Sequence, residues 1–311
     1  MLAPLCLLAQ QGEAPTIRAN VPLVLLPVTV TENGKPVDGL QPQDFTVSDE
    51  GVRQQVHLDT PDTVFSPISM VIAVQTSSLS SPALARIQQV SSMVRPILAG
   101  DRGQVAILAY DREIRELMPF TFEADRIEKT FARLVPRTPK QGILLDTMER
   151  AIEMLKKQPE NNRRVIVYLG ESRDRGSKAP LNHVAEMAQR ANVAIYPVTY
   201  SAQKIAWLSQ PEDLTPMPGG PDYLGGFGEL ARFGKTDTSD TLARTTGGHQ
   251  LGFLTQQRLE QVLQIAGDEL HNQYLLSFAP LDPIPNRYRR VQVKVPSHPK
   301  AVVRARPGYW P

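Results

Sequence analysis

Two short stretches of this chain carry residue types arranged as they would be to do chemistry. The first is Ser69 to Ser80, S-M-V-I-A-V-Q-T-S-S-L-S, where an apolar run from Met70 to Val74 stops at Gln75, Thr76, Ser77, Ser78 and Ser80. A buried parallel strand that delivers a loop to the edge of a sheet reads this way, and loops at that edge are where open α/β sheets bind ligands. The second is Gly170-Glu171-Ser172-Arg173-Asp174, behind the apolar run Val165 to Leu169. It begins like the G-x-S-x-G elbow that raises a nucleophilic serine, which would make Ser172 the nucleophile of a hydrolase. The second glycine is missing, and Arg175-Gly176-Ser177 continues a loop where the elbow requires a helix. Other polar residues do not combine: His57, His183, His249, His271 and His298 have no paired metal spacing, and Gly234-Lys235-Thr236 lacks the upstream strand and glycines of a phosphate-binding loop.

Composition narrows the classes further. At 311 residues the chain has room for about two domains. Its 41% hydrophobic and 21% charged residues are those of a soluble globular protein, and a net charge of +2 is too small to point to nucleic acid. The 27 prolines gather near 211–221 and 280–311, as in long loops and strand edges. The opening M-L-A-P-L-C-L-L-A-Q-Q-G-E-A-P is a short apolar run followed by small and polar residues, so residues 1–15 read as the remnant of a secretory leader on an exported protein. The run is shorter than a membrane span and no basic residue precedes it. Cys6, the only cysteine, reads as one more apolar residue of that leader, which leaves no internal disulfide.

The elements that must position the polar loops follow from periodicity. Residues 21–59 read as β-structure, with a hairpin at Asn33-Gly34 and a second that turns at Glu50-Gly51 and returns along Gln55 to Leu58. Pro22 and Pro27 demote the first run to an edge or bulged strand. From Ser69 onward strands alternate with amphipathic helices through Thr199, which predicts a doubly wound, mainly parallel sheet. Residues 201–235 hold six glycines and four prolines, a connection predicted to be mobile and dispensable for folding, with Trp207, Tyr223 and Phe227 available to a partner, or with Trp207 packed on the sheet edge instead. Helices are expected over 238–245 and 255–270, and strands over 274–279, 291–295 and 301–305. Arg287, Arg289, Arg290, Arg304 and Arg306 are interleaved with valines and read as a solvated sheet face. Neither flank has strands enough to stand alone. Residues 16–62 and 272–311 are therefore expected to pair into one β-sandwich, with the α/β domain of residues 63–271 inserted between them.

The order of these elements, with V-I-A-V-Q-T-S-S from Val71, G-I-L-L-D-T-M-E-R-A-I from Gly142 and V-I-V-Y-L-G-E-S-R-D from Val165, resembles a von Willebrand factor A domain. More narrowly it resembles bacterial exported proteins with a VWFA-related domain. Their flanks carry phrases similar to V-D-G-L-Q-P-Q-D-F-T-V-S-D-E-G near residue 44, T-T-G-G-H-Q at Thr245, Q-Y-L-L-S-F-A-P at Gln273 and V-R-A-R-P-G-Y-W at the end. The resemblance spans nearly the whole chain.

It implies a metal-ion-dependent adhesion site, in which Asp-x-Ser-x-Ser, a Thr and a distal Asp hold a hard divalent cation in an oxygen cage. Laid onto this chain, those positions are Gln75, Ser77, Leu79, Ile143 and Glu171, so only Ser77 is retained. Gln75 offers a neutral carbonyl, Leu79 and Ile143 no side-chain oxygen, and Glu171 a carboxylate one methylene further out. Ser78, Ser80 and Asp174 are the neighbouring oxygens that would have to substitute.

The resulting expectation is a degenerate adhesion site without a cofactor, magnesium being the lesser alternative. Gln75, Ser77, Ser78, Ser80, Gly142, Ile143, Glu171 and Asp174 would face a protein or an extracellular or envelope matrix component, with no nucleic acid and no membrane span. The leading function is a non-catalytic, exported, adhesion-type binding module, secreted, periplasmic or at the cell surface. The alternative is a secreted serine hydrolase using Ser172.

Overall fold

Turn chemistry starts the fold. In the computed structural model, which describes residues 23–58, 67–201, 237–281 and 286–311, Val24–Glu32 forms β1 and turns through Asn33 (φ 52°) and Gly34 (φ 76°) into β2, Lys35–Pro36. Two successive positive φ values are what a two-residue I′ hairpin requires. Glu50 (φ 48°) and Gly51 (φ 84°) repeat the device between β3, Thr46–Asp49, and β4, Val52–Gln54. The return strand is thus Val52–Gln54, and the expected return along Gln55 to Leu58 is wrong: a two-residue turn sets Val52 opposite Asp49. His57–Leu58, β5, crosses instead to Ser277 and Leu276 in the sheet built on β1. The leader and all of the 201–235 connection after Ser201, with Trp207, Tyr223 and Phe227, lie outside the described residues.

The α/β unit begins with β6, Ile68–Gln75, every residue of which is buried. Helix α1, Ser81–Gln89, follows with Pro82 in its first turn, where a missing N–H has no helical partner to lose. Strand β7, Gln104–Tyr110, pairs parallel to β6 and antiparallel to β8, Ile114–Thr121. Helix α2, Ala124–Ala132, buries only Ile127 and Phe131, too few apolar positions for the periodicity to announce it. Helix α3, Leu144–Lys156, leads to β9, Arg163–Glu171, and α4, Leu181–Arg190, to β10, Val193–Tyr200. Helix α5, Thr238–Thr246, ends at Gly247 (φ 78°), and β11, Leu251–Gly252, adds a short parallel edge. The break at Gly247-Gly248 has a steric cause as well, since a Cβ at Gly248 would lie 1.9 Å from the Ile195 carbonyl oxygen. Helix α6, Gln256–His271, closes the unit.

The six strands lie in the order β11-β10-β9-β6-β7-β8, parallel except for β8. Successive residues of β6 feed opposite layers. Met70, Ile72 and Val74 pack with α1, α2 and α6, while Val71 and Ala73 pack with α3, α4 and α5. The chain leaves β6 toward β7 and later returns on its other side with β9. The crevice between the ends of β6 and β9 is therefore the switch point at which such sheets bind ligands.

The last strands are β12, Tyr274–Phe278; β13, Arg289–Lys294; β14, Val302–Arg304; and β15, Gly308–Tyr309. They meet the first ones: β1 pairs with β12 and β14, β5 with β12, and β3 with β13. The two sheets, β14-β1-β12-β5 and β15-β13-β3-β4, share one apolar cluster that includes Leu26, Val28, Val47, Leu276, Phe278 and Val291. From Val24 to Val28, β1 is paired with β12 alone, and Pro27 falls in that half; Thr29 and Val30 pair with β14, Thr31 with both β14 and β2, and Glu32 with β2, so the residues around Pro27 have one open edge.

The arginines of this region overturn a second expectation. Arg287 and Arg290 are exposed, but Arg289, Arg304 and Arg306 turn inward. Arg289 grips the fully buried Asp49 with Nε at 3.0 and 3.1 Å and Nη2 at 2.9 Å, and Arg304 pairs with the buried Glu269 of α6. Arg306, 6% exposed, donates to the carbonyls of Leu25 and Gln189. Beside β14 stands the α/β unit, and β13 is paired on both sides, so side chains expected to meet water meet protein.

Candidate functional site

The polar loops after β6 and β9 converge at the switch point. Gln75, the last residue of β6, is buried, and its amide bridges both loops: Oε1 accepts from the Glu171 backbone N–H (2.7 Å) and Nε2 donates to Ser77 Oγ (2.9 Å). Turned over, its NH₂ would meet the Glu171 N–H donor to donor, so the backbone of β9 sets the orientation. Ser77 Oγ also lies 3.3 Å from Ser80 Oγ, and both serines are fully buried. Gly142 and Gly170 make room for this amide. A Cβ at Gly142 would stand 2.8 Å from Gln75 Nε2, and one at Gly170 would stand 2.3 Å from the Tyr110 hydroxyl and 3.0 Å from Gln75 Oε1.

The remaining expected residues are brought to the same edge but are committed locally. Ser78 N donates to the Pro139 carbonyl (2.9 Å). Ile143 precedes α3 and donates its N–H to the Asp111 carbonyl (2.9 Å), while Leu79 packs against the apolar cluster on the α1 face. Asp174 accepts from Leu145 N (3.1 Å) and Ser177 Oγ (2.6 Å), acting across the loop as a cap on the first turn of α3. Asp146 in turn accepts from the N–H groups of Lys178 (2.9 Å) and Ala179 (2.8 Å). The largely buried Glu171 carboxylate lies 3.3 Å from Nε of Arg175, which is half-exposed at the rim.

Sequence reasoning missed Asp111, Arg115, Arg137 and Arg175. Asp111 follows β7 directly, and its carboxylate accepts from Arg112 N (2.7 Å), Glu113 N (3.1 Å) and Arg115 Nη1 (2.8 Å). Burial alone would raise its pKa, but the Arg115 guanidinium and the two backbone donors outweigh it and hold the group below the usual carboxylate range. Arg115 Nη2 reaches on to Thr76 Oγ1 (2.7 Å), and Arg137 Nε stands 3.7 Å from the same carboxylate. An aspartate directly behind a buried parallel strand was the available signal.

This donor set is a poor cage for a hard cation. Gln75 turns an N–H toward the only retained serine, two positions lack oxygen, and the carboxylates of Asp111 and Asp174 are taken by N–H groups and a guanidinium, while Glu171 keeps a buried Oε2 that accepts no hydrogen bond and lies 3.3 Å from Arg175 Nε. Ser172 lines a neighbouring cleft of about 590 Å³ with Asp237, Gln250 and Arg258. Its carbonyl accepts from Ser239 N and Oγ. Among the described residues no histidine is hydrogen-bonded to it, and the next helix starts only at Leu181, so the strand-turn-helix of a nucleophile elbow does not form.

Buried tyrosines make a test of the packing possible. Burial pushes the hydroxyls of Tyr110, Tyr168, Tyr196 and Tyr200 above their ordinary 10.0, and that of Tyr288 up to about 12. Folded tyrosines stay neutral where the unfolded chain ionises, so their contribution is complete below pH 10 and is lost as pH rises through the folded values. Arg163 and Arg306, lowered by burial, the latter to about 10, act in the opposite sense, but the tyrosines outnumber them. The urea midpoint is expected to hold steady between about pH 8 and 9.5 and to fall above about pH 10. A midpoint unchanged at about pH 11 would contradict this burial.

The sheet order, the single antiparallel edge strand and the polar loops at the switch point make a doubly wound α/β domain, the fold that the resemblance to a von Willebrand factor A domain implies. Among solved structures the chain is similar to BatB from Bacteroides thetaiotaomicron, at 13% identity over 65% of this chain and 98% of that one, with a TM-score of 0.45. It is similar to the VWA domain of SpRpn10 at 12% identity, 63% and 95% coverage and a TM-score of 0.40. Proximal thread matrix protein 1 of the mussel byssus, solved with a zinc-occupied MIDAS motif, matches at 11% identity over 71% of this chain, with a TM-score of 0.47; this chain covers 48% of that protein. No protein-family model matches the chain, and no curated protein matches it in sequence.

Proposed function

We propose that this protein is a non-catalytic, exported binding module of adhesion type. Its von Willebrand A-like domain is inserted in a β-sandwich made by the two chain ends, and it engages a protein or matrix partner through a degenerate adhesion site that needs no metal. The observation that carries this reading is Gln75: its amide is held between Glu171 N and Ser77 Oγ, so a fixed hydrogen-bonded bridge stands where the resemblance calls for a metal-binding carboxylate. Ser78, Gly142, Ile143 and Asp174 shape the surface around it, with Arg173 and Arg175 exposed at the rim. No helix among the described residues is long and apolar enough to cross a membrane.

Capture of partners from envelope or matrix fractions tests the reading. Binding is expected to be equal in EDTA and in magnesium, and to fall at least about tenfold on the double reversal Arg173→Glu, Arg175→Glu, as when close interfacial charges are inverted. Capture abolished by EDTA and restored by magnesium would overturn the metal-free site. Turnover of ester substrates lost in Ser172→Ala would favour the hydrolase instead.

A further inference from the structure

We propose that the seam between the α/β unit and the sheet of β1 and β12 is a binding site for a small oxyanion, phosphate or carboxylate, in a cavity of about 210 Å³ lined by Arg163, Arg164 and Arg306. The cavity lies at the opposite end of the parallel sheet from the adhesion-type loops, because Arg163 opens β9 and Glu171 closes it.

Charge carries the inference. Elsewhere among the described residues Arg289 is paired with Asp49, Arg304 with Glu269 and Arg115 with Asp111, while half-buried Arg86 donates to a carbonyl of its own helix. The three seam arginines have none among the described residues. Arg163 donates to the Leu270 carbonyl and the Gln273 amide oxygen. Arg164 donates to the carbonyls of Ala191 (3.1 Å) and Gln158 (3.2 Å). Arg306, 6% exposed, donates to Gln189 O (3.1 Å), Asn192 Oδ1 (3.1 Å) and Leu25 O (2.6 Å). All their acceptors are neutral, and Nε of both Arg164 and Arg306 is buried without any hydrogen-bond partner. A guanidinium does not shed its proton at neutral pH, so three positive charges gather here with no counter-charge of their own. Buried charges are ordinarily paired, and an unsatisfied buried donor calls for a missing partner such as an ion. Glu160, the acidic lining residue, is exposed and forms no ion pair with them.

Size and chemistry then select the occupant. The space is below the roughly 300 Å³ at which drug-sized pockets begin, which suits a phosphate or a short dicarboxylate and not a nucleotide. Flat guanidinium forks favour oxyanions that accept two parallel hydrogen bonds. Held there, the anion would bridge β9 of the α/β unit to Arg306 near the chain's end and so tie the two units together.

Thermal unfolding and calorimetry of the full chain test this with inorganic phosphate, succinate and, at matched ionic strength, sodium chloride. Phosphate or succinate is expected to raise Tm saturably where chloride does not, as a ligand of the folded state must; whichever binds identifies the oxyanion. Arg164→Gln is expected to abolish the increment. Asn161→Asp alters one exposed lining residue without changing its size, so it keeps the test valid even if Arg164→Gln fails to fold. Its added negative charge is expected to weaken the anion about tenfold. No increment beyond chloride, or an increment unchanged in Asn161→Asp, would overturn the site.

Discussion

Replacing Asp49 by alanine is expected to lower the unfolding free energy by about 3 to 5 kcal/mol, the range for breaking a buried ion pair from one side. Asp49 is fully buried at the end of β3, held by the Arg289 guanidinium and by the Tyr309 hydroxyl (2.9 Å). The substitution removes one charge and leaves the other, with Arg289 only 14% exposed in its side chain. Because Arg289 and Tyr309 come from β13 and β15, the pair fastens the first strands of the chain to the last. Urea unfolding followed by circular dichroism reads the loss. The double variant Asp49→Ala, Arg289→Met is expected to recover part of it, since an apolar pair avoids the stranded charge. A loss below about 1 kcal/mol, the range of exposed pairs, would refute the burial assigned to this bridge.

The second large effect is the creation of a metal site. The quadruple variant Gln75→Asp, Leu79→Ser, Ile143→Thr, Glu171→Asp returns the acidic and hydroxyl groups in which this chain departs from the adhesion-site pattern. It is expected to bind magnesium or calcium at roughly 10⁻⁴ to 10⁻³ M, the range of weak extracellular calcium modules, where the parent shows no saturable heat. Removing the Gln75 amide is the decisive change, because its N–H group now points at Ser77 Oγ. A parent protein that titrates one divalent ion at micromolar affinity, and loses it on Glu171→Ala, would show that Ser78, Ser80 or Asp174 completes a cage in spite of that amide.

The candidate site was legible where its logic is local. The abrupt end of an apolar strand at Gln75 and the polar run behind it place the loop at the edge of a parallel sheet from residue order alone. Which loops it meets is a matter of strand order, and the return of β9 beside β6 brings Glu171 to Gln75 across 96 residues. Asp111 went unnoticed because an acidic residue in a short turn between two strands has the same local pattern whether or not it is buried. Its hold on Arg115 and Arg137 appears only once β8 folds back along β7.

By itself, then, the sequence determined the turns, the alternation of buried strands and helices, and the donor types at positions 75, 79, 143 and 171. Asn33-Gly34 and Gly247 encode their own backbone angles, periods of 2 and 3.6 are written in neighbouring residues, and side-chain chemistry is present in the letters. Tertiary structure alone decided which way the Gln75 amide points and that Arg289, Arg304 and Arg306 face inward. The physical reason is range. A guanidinium between valines has the same local pattern whether its face meets water or protein, and Asp49 and Arg289 become partners only because strands 240 residues apart pair in one register.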